Sequence, residues 1–175
     1  MEVYFVRHTQ VDVPKGTCYG HTDVPLKASF PEEAEAVKQK LAGLTFDASY
    51  SSPLSRARKL AAYCGYPDPI IDDRLIEMNY GEWEMQKYSE IKDPRLQEWY
   101  DNWQTYKVPG GESCSELFVR VMDFIEDLKK TSYERVVVFC HGGILISASL
   151  SQNLIPLDWS VFSAFDYGAV LRIEI

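Results

Sequence analysis

The run Val136-Val137-Val138-Phe139-Cys140-His141-Gly142-Gly143 decides the reading of the fold. Its first five residues are continuously apolar and of strand length, the pattern of a parallel strand covered on both faces. His141-Gly142-Gly143 then turns the chain into an expected helix from Ile144 to Leu150. Working outward, Val3–Val6 reads as a second buried strand, ending at Arg7-His8. Ser29-Phe30-Pro31-Glu32 suits a capped helix start, followed by Ala34, Val37, Leu41 and Leu44 at helical spacing. Another helix is expected after Ser52-Pro53, through Ala57, Leu60, Ala61 and Cys64, until Gly65 and Pro67 stop it. Ser113-x-x-Glu116 opens a third, with Leu117, Phe118, Val121, Met122, Ile125 and Leu128 on its apolar face. This alternation argues for an α/β domain with a largely parallel sheet, in which ligands gather beyond the carboxyl ends of the strands. His8 and His141 both fall there.

Length and composition narrow the class. The 175 residues favour one domain, and 46% hydrophobic with 25% charged residues excludes collagen-like, coiled-coil and low-complexity chains. With 18 Lys+Arg against 26 Asp+Glu the net charge is −8, which argues against a nucleic-acid partner. An anionic small molecule would need a local cluster of arginines working against that field. The N-terminal apolar run is too short for a signal peptide, and no segment approaches the roughly 18 apolar residues of a membrane span. Cysteines 18, 64, 114 and 140 include no Cys-x-x-Cys pair and have no histidine at zinc-finger spacing. Neither a disulfide framework nor a metal site is expected. The chain reads as cytoplasmic, without membrane, metal or cofactor.

Two motifs invite a functional reading and fail it. Cys114 and Arg120 have the Cys-x5-Arg spacing of a phosphate-wrapping nucleophile loop, which needs small residues so that backbone N–H groups can converge. The intervening Glu116, Leu117, Phe118 and Val119 belong to an amphipathic helix instead. Gly111-Glu112-Ser113-Cys114-Ser115 approaches a serine-hydrolase elbow but lacks the final glycine and a preceding strand. Trp83, Trp99 and Trp103, with Tyr88, Tyr100 and Tyr106, suit a ligand platform or ordinary packing equally well.

Four ordered blocks carry the chemistry: Val6-Arg7-His8-Thr9, Ser52-Pro53-Leu54-Ser55-Arg56-Ala57, Glu77-Met78-Asn79-Tyr80-Gly81 and His141-Gly142-Gly143. In that order they resemble the histidine phosphatase, or phosphoglycerate-mutase-like, superfamily over essentially the whole chain. The resemblance implies one three-layer α/β/α domain over residues 1–175. It also implies His8 as phosphorylated nucleophile, Glu77 as proton donor, and Arg7, Arg56, His141 and Gly142 around the phosphate. Elementary chemistry agrees with those roles. Phosphoryl transfer is mostly positioning and charge stabilisation, and forked arginines match phosphate oxygens. A neutral histidine can attack phosphorus, and a carboxylic acid can protonate an alkoxide leaving group.

One departure stands out. Members of the superfamily usually follow the first block with a Gly-Glu-Thr segment and a phosphate-holding Asn, whereas this chain runs Thr9-Gln10-Val11-Asp12-Val13-Pro14. Backbone near Gly20 is the expected replacement. The short chain, Gly81-Glu82-Trp83-Glu84-Met85 and the following Trp99 and Trp103 most resemble α-ribazole phosphatases, which implies a small phosphorylated substrate, α-ribazole 5′-phosphate, used in cobalamin assembly. The alternatives are a broad-specificity sugar or nucleotide phosphatase, a phosphoglycerate mutase and a phosphate-binding module without turnover. The segment between Gly81 and Ser113 is expected to decide among substrates.

Overall fold

A computed structural model describes residues 1–175. One five-stranded sheet organises the chain, in the order β3-β2-β4-β1-β5. The strands are β1 (Glu2–Arg7), β2 (Ala48–Ser51), β3 (Ile70–Ile71), β4 (Arg135–Cys140) and β5 (Val170–Glu174). All neighbouring pairs are parallel except β1 with β5.

Alternation along the two central strands splits the core into layers. Val136, Val138 and Cys140 of β4, with Val3 and Phe5 of β1, face a cluster that includes α4 (Cys114–Leu128) and α5 (Gly142–Ser151). Val137, Phe139 and Val6 face the opposite side, against α1 (Phe30–Lys40) and α2 (Ser55–Tyr63). A strand buried on both faces has no polar alternation, which is why Val136–Cys140 reads as an unbroken apolar run.

The expected helices form with small differences at their ends. Ser113 accepts from the Glu116 N–H at 3.1 Å while Glu116 accepts from the Ser113 N–H at 2.9 Å, completing the capping box of α4. At α1 the expected serine cap does not form: Ser29 Oγ donates to the Glu33 carboxylate at 2.6 Å, and Pro31 in the first turn sets the start. Leu44 lies beyond the helix, which ends at Lys40.

Register aligns the functional ends. Arg7 is opposite Cys140, and the His8 N–H donates to the Cys140 carbonyl at 3.0 Å. On the other side of β4 the Ser52 N–H donates to the Phe139 carbonyl at 2.9 Å. His8, His141 and Ser52 therefore leave three adjacent parallel strands at the same edge, the position that the parallel topology reserves for ligands.

Candidate active site

His8 is 2% exposed and lies between His141, ring centroids 5.2 Å apart, and Tyr167, at 5.6 Å. Its Nδ1 is 2.7 Å from the Thr9 carbonyl oxygen. A carbonyl can only accept, so Nδ1 carries the proton and Nε2 keeps its lone pair. Burial and the neighbouring Arg56 and Arg7 charges hold the His8 pKa well below the usual 6.5, against the Thr9 hydrogen bond, which acts to raise it. The ring is neutral at neutral pH, with its Nε2 lone pair unprotonated.

His141 is fully buried at the N-cap of α5, with Nε2 2.8 Å from Ser52 Oγ. Ser52 Oγ also accepts from the Leu54 N–H at 3.3 Å, and His141 Nδ1 is buried without a partner. Burial, then Arg56, His8, Arg120 and Arg7, lower its pKa in turn.

Two arginines supply the positive charge. Arg56 is fully buried at the start of α2; Nη1 donates to the Thr22 carbonyl at 2.9 Å and Nη2 to the Gly20 carbonyl at 2.6 Å. Arg7 donates to the Phe165 carbonyl and lies 4.2 Å from the centroid of the Tyr167 ring. Both leave a buried Nε–H unpartnered, as is the Thr9 hydroxyl. Unsatisfied buried donors are rare in folded proteins and cost about 1–3 kcal/mol each. Four such groups around one histidine pair suit an anion.

Glu77 approaches from the opposite side. Its carboxylate accepts from the Gly143 N–H at 3.1 and 3.2 Å and from the Met78 N–H at 2.9 Å, docking against the N-terminus of α5. Of the two glycines after His141, Gly143 leaves no room for a side chain and Gly142 sits tightly. A Cβ on Gly143 would lie 2.3 Å from Glu77 Oε1, and one on Gly142 would lie 3.3 Å from the Arg7 guanidinium. Gly20 enters through its carbonyl, which holds Arg56, and packs so closely that a Cβ would fall 1.7 Å from the Met78 carbonyl oxygen.

Arg7, His8, Arg56, Glu77, His141 and Gly142 thus come together at one strand edge, whereas Gly20, expected on the phosphate in place of the Asn, gives its carbonyl to Arg56 instead, an acceptor that cannot bind a phosphate oxygen. The tryptophans divide. Trp83 and Trp99 are 1% and 3% exposed members of the large core cluster, and the Trp83 indole N–H donates to Asp93 at 3.1 Å. Packing, not ligand contact, explains both. Only Trp103 reaches a cavity of about 860 Å³ that opens beside Arg7 and Glu77. Tyr88 lines it too, and most of its apolar wall comes from Leu117 and Phe118 of α4, Ile146 and Leu150 of α5, and Ile155, Val161, Phe162 and Phe165 beyond. Of the segment between Gly81 and Ser113, Tyr88, Trp103 and Gln104 reach the cavity, while Trp83, Trp99, Tyr100 and Tyr106 do not. Tyr19 and Tyr167, whose hydroxyls bond at 2.7 Å, and the 146–165 wall carried no sequence signal, while Ser52 lay inside a recognised block.

Comparison with known proteins agrees with this geometry. The model of the histidine phosphatase superfamily (branch 1) matches residues 3–174. The chain belongs to that superfamily. It is a phosphatase-type enzyme by that membership. Adenosylcobalamin/alpha-ribazole phosphatase of Escherichia coli strain K12 is 30% identical over 155 residues, 83% of this chain and 75% of its own. Phosphoserine phosphatase 1 of Hydrogenobacter thermophilus is 28% identical over 176 residues, 94% and 81% of the two chains. A crystal structure of phosphoglycerate mutase from Thermus thermophilus superposes with a TM-score of 0.80 at 30% identity, covering 99% of this chain and 93% of that one. The central sheet and its flanking helices are those of the phosphoglycerate-mutase-like fold. No helix is long and apolar enough to cross a membrane.

Proposed function

We propose that this histidine phosphatase hydrolyses α-ribazole 5′-phosphate through a phosphohistidine. The observation that carries the substrate is the cavity beside Arg7 and Glu77: Arg7 is the one Lys or Arg that lines it, and Glu77 the one carboxylate. Phosphoglycerate or phosphoserine carries a second anionic group, which would need a cation beyond the phosphate pocket. A flat, apolar dimethylbenzimidazole riboside needs apolar wall and aromatic edges, at about 1–3 kcal/mol per stacked base in nucleic-acid sites. About 860 Å³ is ample for such a group, within the usual size of ligand cavities. The E. coli relative named for alpha-ribazole supports the same choice.

The reaction follows from the residues. The phosphate sits among Arg7 Nε–H, Arg56 Nε–H and His141 Nδ1, three groups that lack partners in the protein, with His141 in the tautomer that carries its proton on Nδ1. The lone pair of His8 Nε2 attacks phosphorus as the P–O ester bond breaks. The departing oxygen takes a proton from the Glu77 carboxylic acid, beside the Gly143 N–H. Water then attacks the phosphohistidine, and Glu77, now carboxylate, accepts its proton. The P–N bond breaks, its electron pair returns to Nε2, and inorganic phosphate leaves. A phosphate-binding module without turnover would have no use for an oriented Nε2 lone pair.

Comparing kcat/KM for α-ribazole 5′-phosphate, 3-phosphoglycerate, phosphoserine and fructose phosphates tests the assignment. The ribazole ester is expected to lead by about 5–150-fold, the ratio that 1–3 kcal/mol supplies. Preference for either acid overturns it. Near-equal values across all esters would instead mark a broad-specificity phosphatase.

A further inference from the structure

Arg120, the arginine of the rejected Cys-x5-Arg motif, has no part in the mechanism above, yet it is among the most engaged side chains in the molecule. Its Nε donates to Glu112 Oε1 at 2.7 Å and Nη2 to Glu112 Oε2 at 3.0 Å, a two-point ion pair with both side chains at least four-fifths buried. The remaining N–H groups cross from α4 to the loop that carries Glu77. Nη1 donates to the Arg74 and Ile76 carbonyls at 2.6 Å each, and Nη2 donates to the Glu77 carbonyl at 3.1 Å. Glu112 completes the grip: it accepts from the Asn79 N–H at 3.2 Å, while its own N–H donates to the Asn79 carbonyl at 2.9 Å.

Backbone groups before, at and after Glu77 are thus tied to one guanidinium–carboxylate plane. The Glu77 side chain is anchored separately, by the Gly143 and Met78 N–H groups. Fixing the backbone at one end and the carboxylate at the other leaves little freedom to the acid. A lysine could keep the charge, but its compact ammonium cannot reproduce a planar fork serving Glu112 and three carbonyls.

We infer that Arg120, paired with Glu112, is a positioning residue that sets Glu77 against the leaving-group oxygen, an inference that rests on Glu77 being the acid. Catalytic geometry is sensitive to such support, since a misplacement of about 1 Å can cost about 10²-fold in rate.

The test measures single-turnover phosphorylation by p-nitrophenyl phosphate, whose leaving group needs little protonation, and by phenyl phosphate, which needs more. It uses Arg120→Lys, Glu112→Gln, Glu77→Gln and the Glu77→Gln/Arg120→Lys double variant. Arg120→Lys should slow the phenyl ester about 10–100-fold and the p-nitrophenyl ester no more than about threefold, with KM nearly unchanged. In the Glu77→Gln background the same change should add almost nothing, because it acts through the missing acid. Glu112→Gln leaves the arginine in place and should give the same pattern more weakly, which keeps the test open if Arg120→Lys fails to fold. Equal losses on both esters, or full additivity with Glu77→Gln, would make Arg120 a structural support only. If Glu77→Gln itself treats the two esters alike, the acid assignment falls and takes this inference with it, a result distinct from the first.

Discussion

The two ends of the substrate site are built on opposite principles. At the phosphate end, Arg7, His8, Arg56 and His141 issue from strand ends or a helix start, nearly all buried and hydrogen-bonded to Phe165, Thr9, Thr22 and Ser52 respectively. At the other end the cavity is walled by Trp103, Phe118, Ile146, Leu150, Phe162 and Phe165, residues that would suit any protein interior. Chemistry demands particular groups at particular strand ends, so that end is constrained in residue type and order. Apolar recognition demands only shape, which many side chains provide. Similar proteins named for phosphoserine, alpha-ribazole and phosphoglycerate are what such a division allows: one reacting end, with recognition varied around it.

The largest effects should lie at the phosphate end. His8→Ala removes the atom proposed to bond phosphorus, so turnover should fall by about 10⁴–10⁶-fold, on the scale of nucleophile deletions in other hydrolases. Rapid quench with radiolabelled substrate should trap an acid-labile, base-stable phosphoenzyme in the wild type and none in the variant. Label on cysteine or serine would break the assignment. Glu77→Gln ranks next: hydrolysis of an alkyl ester should slow about 10²–10⁴-fold, the range of general acid–base catalysis, with a far smaller loss in phosphorylation by p-nitrophenyl phosphate.

The same division explains what could be read from the sequence. The doubly covered strand β4, the capping box of α4 and the blocks at Arg7-His8, Arg56, Glu77 and His141-Gly142-Gly143 were legible, because each ties a residue type to a backbone demand. Ala48–Ser51 was not legible as a strand. Ala48, Ser49 and Ser51 have little strand character, Tyr50 alone favours it, and pairing between β3 and β4 imposes the conformation. The tryptophans could not be sorted, since a buried indole serves core and ligand equally; position relative to the cavity separated Trp103 from Trp83 and Trp99. Tyr167 meets Arg7 and His8 from far along the chain, a contact that no local spacing encodes.

Substitution in the wall sharpens the comparison by separating recognition from chemistry. Phe162→Ala should lower kcat/KM for the ribazole ester about 5–50-fold, mostly through KM, and leave p-nitrophenyl phosphate within about twofold. Trp83→Ala should behave differently. Truncating a buried Trp costs about 3–5 kcal/mol of stability, so every substrate should suffer together as the folded fraction falls on warming. If Phe162→Ala impaired both esters equally, the wall would be core and the substrate assignment would lose its support.

The smallest effect is a change in the pH dependence of stability, and it belongs to the phosphate end alone. His8 and His141 have pKa values held well below 6.5 by burial and by nearby arginines. Below that pH the unfolded chain takes up protons that the folded chain refuses. Stability therefore falls as pH drops from 6.5 toward the folded-state values, by up to about 1.4 kcal/mol per pH unit for each histidine. The third histidine, His21, is exposed, and carboxylates with lowered pKa values act at more acid pH, from about 4.5 downward. The window between pH 6.5 and 5 thus reports mainly on the buried pair. Urea unfolding should show the slope in the wild type and a reduced one in His8→Gln. Inorganic phosphate should also flatten it, since an anion among Arg7, Arg56 and His141 offsets the arginine charges and makes protonation easier. Phe162→Ala should leave the slope as it was, whatever it does to overall stability. A wall substitution that altered the slope as much as phosphate does would mean that the two ends are electrostatically one site.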